Sequence, residues 1–187
     1  MNVVNRRRLL TFLAGLMIVA VPVSAALAVP SSFVRHENRY WTWYAPQRWV
    51  ASYNRNGIDI TSPTGTKLAG TAYSTLAQCP SNTASFFRQV RTLLKQQGAL
   101  YSKPLRSARY TSVGPVRNAG GGDKTQHSTF RGTRRTGAGI RGELDLRLIR
   151  QGGCAVVGQV SSAPSRGYRN SIGLLRQIQR AVFYHPS

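Results

Sequence analysis

Three short segments of this sequence match motifs that bind nucleotides or metals, and each lacks the neighbour its chemistry requires. Gly137-Ala138-Gly139-Ile140-Arg141-Gly142 satisfies the dinucleotide pattern G-x-G-x-x-G. That pattern works when a helix follows, so that the helix N-terminus meets the pyrophosphate. Residues 143–150 instead alternate apolar and polar side chains as a strand does, so the glycines read as a hairpin. Gly122-Asp123-Lys124-Thr125 is similar to a phosphate-binding loop, but Asp123 repels phosphate and no helical pattern follows. His36-Glu37-Asn38-Arg39-Tyr40 begins like a zinc-protease helix, with Tyr40 standing where the second ligand histidine belongs. No cofactor and no metal site is expected.

Catalysis by side chains has little material. The chain holds 5 acidic residues (Glu37, Asp59, Asp123, Glu143 and Asp145) and 3 histidines, His36, His127 and His185. A Ser-His-Asp site built from His127 with Asp59 or Asp123 would need a nucleophile, and no G-x-S-x-G elbow marks one. The expectation is a protein that is not an enzyme.

Basic charge is the unusual chemical signal: 26 Lys and Arg set against 5 acids give a formal net charge of +21. Arg131, Arg134, Arg135 and Arg141 cluster around one hairpin, and Arg166, Arg169, Arg176 and Arg180 lie on or near the last helix. Such a field attracts polyanions: anionic wall polymers, phospholipid headgroups or nucleic acid. These eight arginines are the candidate polyanion-binding residues.

The elements that must position them begin after an export signal. Arg6, Arg7 and Arg8 precede an apolar run over residues 9–21, followed by Pro22 and a small-residue end, Ala26-Leu27-Ala28. Positive head, apolar centre and A-x-A end are the three parts of a secretory signal peptide, here residues 1–28. Asn5 through Leu10 also resembles a twin-arginine signal, the alternative being general secretion. An uncleaved segment would anchor the chain in the membrane; Pro22 and the A-x-A end favour cleavage. Removing 28 of the 187 residues leaves 159, with 23 bases, 5 acids and a net charge of +18. That length suits one domain with one sizeable core. In an exported protein the even pair Cys79 and Cys154 reads as a disulfide. It closes a loop of about 76 residues, worth roughly 4 kcal/mol in the chain-entropy account.

Residues 29–38 read as a flexible leader and 39–187 as a single domain. Aromatic residues 40–44, the run 49–53, the Asn56-Gly57 turn, Ile58-Asp59-Ile60 and residues 67–73 predict an antiparallel meander. A helix follows, capped by Ser81 or Asn82, with Phe86, Val90, Leu93 and Leu94 on its apolar face and Gly98 at its end. Residues 105–112 and 126–133 predict strands around a glycine-rich loop. In 143–150, Leu144, Leu146 and Leu148 point inward while Glu143, Asp145 and Arg147 point outward; residues 154–161 return beside them. Residues 169–183 form the closing helix. Helices segregated over an antiparallel sheet make an α+β domain, with about six to seven strands covered by two main helices.

The aromatic strand Trp41-Thr42-Trp43-Tyr44, the turn from Pro46 to Trp49, the Gly57-Ile58-Asp59-Ile60 hairpin, the late hairpin 144–160 and the closing helix with Leu174 and Leu175 carry a likeness. Over residues 39–183 the chain resembles the PsbP-like superfamily of exported bacterial and thylakoid-lumen proteins. The resemblance implies an α/β/α sandwich and an accessory or binding module with no shared catalytic set. It carries over no ligand residues.

The function expected is that of a secreted, non-enzymatic accessory or binding protein of the bacterial cell envelope. Its partner is an anionic envelope polymer or another exported protein, and contact with the membrane comes only through an uncleaved signal segment. The alternatives are an exported nucleic-acid or polyanion binder, with nucleic acid held non-specifically, and a hydrolase whose site is not recognisable in the sequence.

Overall fold

The computed structural model describes residues 29–96, 105–151 and 153–185; the signal segment 1–28 lies outside them. Among the described residues eleven strands form two sheets, accompanied by two helices. The large sheet runs β3 (Val50–Asn54), β4 (Gly57–Thr61), β5 (Leu68–Thr75), β10 (Ala155–Pro164), β9 (Gly139–Ile149), β8 (Lys124–Arg134), β6 (Leu105–Val113), and the short β7 (Arg117–Asn118) also pairs with β8. It therefore has eight strands rather than six or seven. The small sheet sets β2 (Trp41–Pro46) between β1 (Phe33–Glu37) and β11 (Val182–Tyr184).

Two expectations change here. Phe33–Glu37, read as a flexible leader, is a strand whose register runs from Phe33 opposite Pro46 to Glu37 opposite Thr42. The aromatic strand leaves the meander and joins the small sheet. The closing helix stops at Arg180, and Val182, Phe183 and Tyr184 pair with Trp43, Thr42 and Trp41. The reason is burial. Trp41 and Trp43 sit in the core, and β11 supplies the backbone partners that their strand needs on its second edge.

The large sheet separates two cores. On one face α2 (Tyr168–Arg180) places Leu175 and Ile178 against Trp41, Trp43, Ile58, Ile60 and Ala163. On the other, α1 (Thr83–Gln96) places Phe87 against Phe130, Ile140, Leu144, Leu146, Leu148 and Val160. Phe87 has no exposed surface, and removing such a ring from water contributes about 2–3 kcal/mol. Of the two candidate caps, Asn82 is the one used: its Oδ1 accepts from the Ser85 backbone N–H at 2.9 Å. Leu93, read as core, is exposed, while Phe86, Val90 and Leu94 pack as expected. No helix among the described residues is long and apolar enough to cross a membrane.

Cys79 and Cys154 form a disulfide, tying the segment before α1 to the start of β10. The Leu76 backbone N–H donates to the Cys154 carbonyl at 2.8 Å beside it. Such a bond fits an oxidising compartment.

Candidate functional site

Strand alternation decides what each face carries. Along β8 and β9 the residues Phe130, Leu144, Leu146 and Leu148 enter the α1-side core, so their odd-numbered neighbours share the face toward α2. On that face Thr125 stands opposite Arg147, His127 opposite Asp145, Thr129 opposite Glu143, and Arg131 opposite Arg141. Helix α2 lies over β5 and β10 and reaches only the near side of β9. Beyond it no other described helix lies over this face of the sheet.

A groove of about 600 Å³ runs along this surface, lined among others by Arg117, His127, Asp145, Arg147, Val157 and Gln159. A smaller one of about 230 Å³ adjoins it, between His127, Glu143 and Asp145 on the sheet and Arg176, Gln179 and Arg180 on α2. The groove floor is built by β8, β9 and β10, and Arg117 enters from β7.

The acids here are already engaged. Arg176 donates to both carboxylate oxygens of Glu143, at 2.9 and 2.6 Å. Glu143, read as outward-facing, is buried beneath that contact. Burial and the Glu143 charge, in that order, push the Tyr168 phenol well above its ordinary pKa. His127 Nδ1 lies 2.7 Å from Asp145 Oδ1. The histidine's partner is thus Asp145, not Asp59 or Asp123 as the sequence suggested. Asp123 is engaged elsewhere. Its Oδ1 accepts from the Arg150 backbone N–H at 2.9 Å, and its Oδ2 accepts from Arg147 at 3.1 and 2.7 Å. Those contacts, the backbone one first, hold its carboxyl below the usual range. Asp123 therefore pins the turn of Gly120, Gly121 and Gly122, all three at positive φ, onto the end of β9.

Ligand atoms of His127, Glu143 and Asp145 lie within 4.8 Å of one another. A cation there would have to displace Arg176 from Glu143 and sit beside Arg180, so the electrostatics oppose a metal. The G-x-G-x-x-G match leads into strand β9, not a helix. His36, from the zinc-like match, lies in β1 with its ring stacked on Trp43 at 5.3 Å.

The eight candidate arginines do not form one patch. Arg131, Arg141 and Arg176 share the α2-side face, Arg180 borders the smaller groove, and Arg166 and Arg169 are exposed around the start of α2. Arg135 is exposed in the β8–β9 turn. Arg134 is half-buried and donates to the Thr66 carbonyl at 3.0 Å, a structural contact. Arg176 is likewise committed to Glu143. Sequence reading passed over Arg109, Arg117 and Arg147. Arg147 was visible in the alternation of β9, but the other two reach this face through pairings between strands.

This arrangement, two helices on opposite faces of an antiparallel sheet, is the PsbP-like fold. Among solved structures the chain is similar to cyanobacterial PsbP (CyanoP) from Synechocystis sp. PCC 6803, with a TM-score of 0.51, 10% identity, and coverage of 82% of this chain and 93% of that one. The Ran-binding protein Mog1p of Saccharomyces cerevisiae gives a TM-score of 0.47 at 9% identity, covering 81% and 94%. LpqN of Mycobacterium tuberculosis, described as involved in cell envelope biogenesis, gives 0.41 at 16%, covering 82% and 90%. No family model and no curated protein sequence matches.

Proposed function

We propose that this chain is a secreted, non-enzymatic accessory or binding protein of the bacterial cell envelope. It engages an anionic envelope component, or an exported protein with an acidic surface, through the open face beside α2. The observation that carries this reading is that face itself. The part of the sheet left uncovered by α2 presents Arg117 and the Asp123-paired Arg147 in a groove of about 600 Å³, and Arg109, Arg131 and Arg141 farther along the same strands. The disulfide and the signal-like N-terminus support export. A preorganised basic face also suits nucleic acid, which makes general polyanion binding the alternative.

One observation favours a hydrolase as a second reading: the His127–Asp145 pair opens onto the groove. No hydroxyl or thiol among the described residues hydrogen-bonds the other ring nitrogen of His127, and both cysteines are in the disulfide. The pair serves better as a polar wall than as a general base.

The test is a binding series at physiological salt against wall polymer, anionic vesicles, duplex DNA and proteins from an envelope extract. Preferential binding to an envelope component supports the proposal. Equal, weak binding throughout defeats it, and turnover of ester or peptide substrates lost in His127→Ala would establish the hydrolase.

A further inference from the structure

Three arginines stand in one line across the open face. Arg109 on β6 is directly opposite Arg131 on β8, and Arg131 is directly opposite Arg141 on β9. Ala108 and Tyr110 pack into the α1-side core, as do Phe130 and Ile140, so the arginines beside them face the other way. Adjacent strands lie about 4.8 Å apart, so the row roots three cationic side chains side by side at that interval.

Like charges placed directly opposite each other destabilise a sheet. Among the described residues no acid is free to relieve them. Glu143 is taken by Arg176, Asp145 by His127, Asp123 by Arg147 and Glu37 by Arg35, while Asp59 lies on β4, five strands from β6 in the sheet order. None of the three row arginines has a hydrogen bond or ion pair among the described residues. A row that lowers stability and has no partner among the described residues is explained by an external one.

Beside it lies a concavity of about 320 Å³ whose lining includes Arg109, Arg131, Ser107, Thr133 and Ser165. Guanidinium forks and hydroxyls around one hollow suit tetrahedral anionic oxygens. The chain that such a track fits carries its anions in succession. Nucleic acid fits less well, because single strands are held by stacking on aromatic rings, and the aromatics of β6 and β8, Tyr110 and Phe130, are turned into the opposite core. A bilayer fits less well too: of the exposed large apolar side chains, only Val113 belongs to these strands, and it stands opposite Ser128 rather than among the arginines.

We propose that the Arg109–Arg131–Arg141 row is a binding track for the phosphodiester backbone of a polyol-phosphate wall polymer. This deepens the reading above and rests on it.

The experiment measures binding of poly(glycerol phosphate), with oligo-dT and polyglutamate as comparison chains, to wild type and three variants across a salt gradient. Wild type should bind poly(glycerol phosphate) most tightly. The triple variant Arg109→Gln/Arg131→Gln/Arg141→Gln should lose about tenfold or more in affinity, and its log–log salt slope should shrink by about 2, as three contacts to a single chain require. Its melting temperature should equal or exceed that of wild type. Arg48→Gln/Arg55→Gln/Arg88→Gln removes the same charge from exposed positions off the row and should change affinity little. Arg109→Lys/Arg131→Lys/Arg141→Lys keeps the charge and loses the forks; affinity should fall severalfold with the slope retained.

Equal losses in the row variant and the off-row variant would overturn the track and leave the general anion-binding proposal standing. Tighter binding of polyglutamate or oligo-dT by wild type would overturn the phosphodiester or the polyol assignment, respectively. No binding of any of the three chains would overturn both proposals. Should the Gln variant fail to fold, the Lys variant decides: unchanged affinity there would rule out fork recognition.

Discussion

Arg176 on α2 holds both carboxylate oxygens of Glu143 on β9, through Nε at 2.9 Å and Nη2 at 2.6 Å, and so fastens the helix to the sheet at the margin of the open face. The glutamate is buried and the arginine about half exposed, at 49%. Removing the arginine leaves a buried, unpaired carboxylate. Arg176→Ala should therefore cost about 2 kcal/mol, less than a fully buried pair because water reaches one side. Adding Glu143→Gln should recover part of that loss, since the stranded charge disappears. Urea denaturation of the single and double variants checks both. Arg131→Gln on the same face should leave stability unchanged or raise it slightly.

The disulfide should matter most for α1. Cys79 and Cys154 are 75 positions apart, and near them Arg150 donates to the Pro80 carbonyl at 3.0 Å. The paired variant Cys79→Ser/Cys154→Ser should lose about 4 kcal/mol if loop entropy dominates. Amides of α1 should then exchange faster than those of β9, because the helix keeps its core contacts but loses its covalent tether. Exchange that rises equally in both elements would mean that the bond stabilises the whole domain rather than the helix.

Features encoded by local pattern are legible in the sequence. The alternation of Leu144, Leu146 and Leu148, the cap at Asn82 and the even cysteine pair each rest on neighbours in sequence or on composition, and each is where it was expected. Features that depend on pairing between distant segments are not. β11 is three residues long and directly follows α2, so it merges with the helix pattern; only its partner Trp41–Pro46, some 140 positions away, makes it a strand. Alternation assigned Glu143 to the outward face correctly, but it could not say that α2 covers that face there. The arginine row was hidden for a related reason. Arg109 meets Arg131 only after register shifts in β6 on either side of it, and bulges of that kind leave no signal in composition.

Two carboxylates should respond to pH with opposite signs. Burial raises the pKa of Asp59, so its folded form favours the proton. Its contribution to stability is fully present below the ordinary value of 3.8 and is lost as pH rises through the raised one. Asp59→Asn should therefore raise the melting temperature at pH 7 and have little effect below about pH 4. Asp123 is the reverse: the Arg150 backbone N–H and the Arg147 side chain lower its pKa. Its contribution is present above 3.8 and is lost as pH falls through the lowered value. Asp123→Asn should destabilise at pH 7, by a margin that shrinks in acid. Melting curves from pH 2 to 8 on both variants test the pair, and parallel curves for the two would contradict these signs.

The glycines of the dinucleotide-like segment answer to the backbone, and the cost of replacing them should show it. At Gly142 an added Cβ would lie 2.6 Å from the Ser161 carbonyl oxygen and run into the Phe130 ring. The carbonyl belongs to β10, which flanks β9, and the ring is buried in the α1-side core, so neither yields easily. Gly142→Ala should cost about 3 kcal/mol, the upper end for overpacking. Phe130→Leu in that background should relieve the ring but not the carbonyl, recovering only part of the loss. Gly137 is different. Nothing lies within 4 Å of its added Cβ, but its φ of 85° is one that other residues adopt with strain, so Gly137→Ala should cost only about 1–2 kcal/mol. Chemical denaturation ranks the three variants. An effect at Gly137 equal to that at Gly142 would mean that strain in the turn, rather than close approach of β8, β9 and β10, is what demands glycine here.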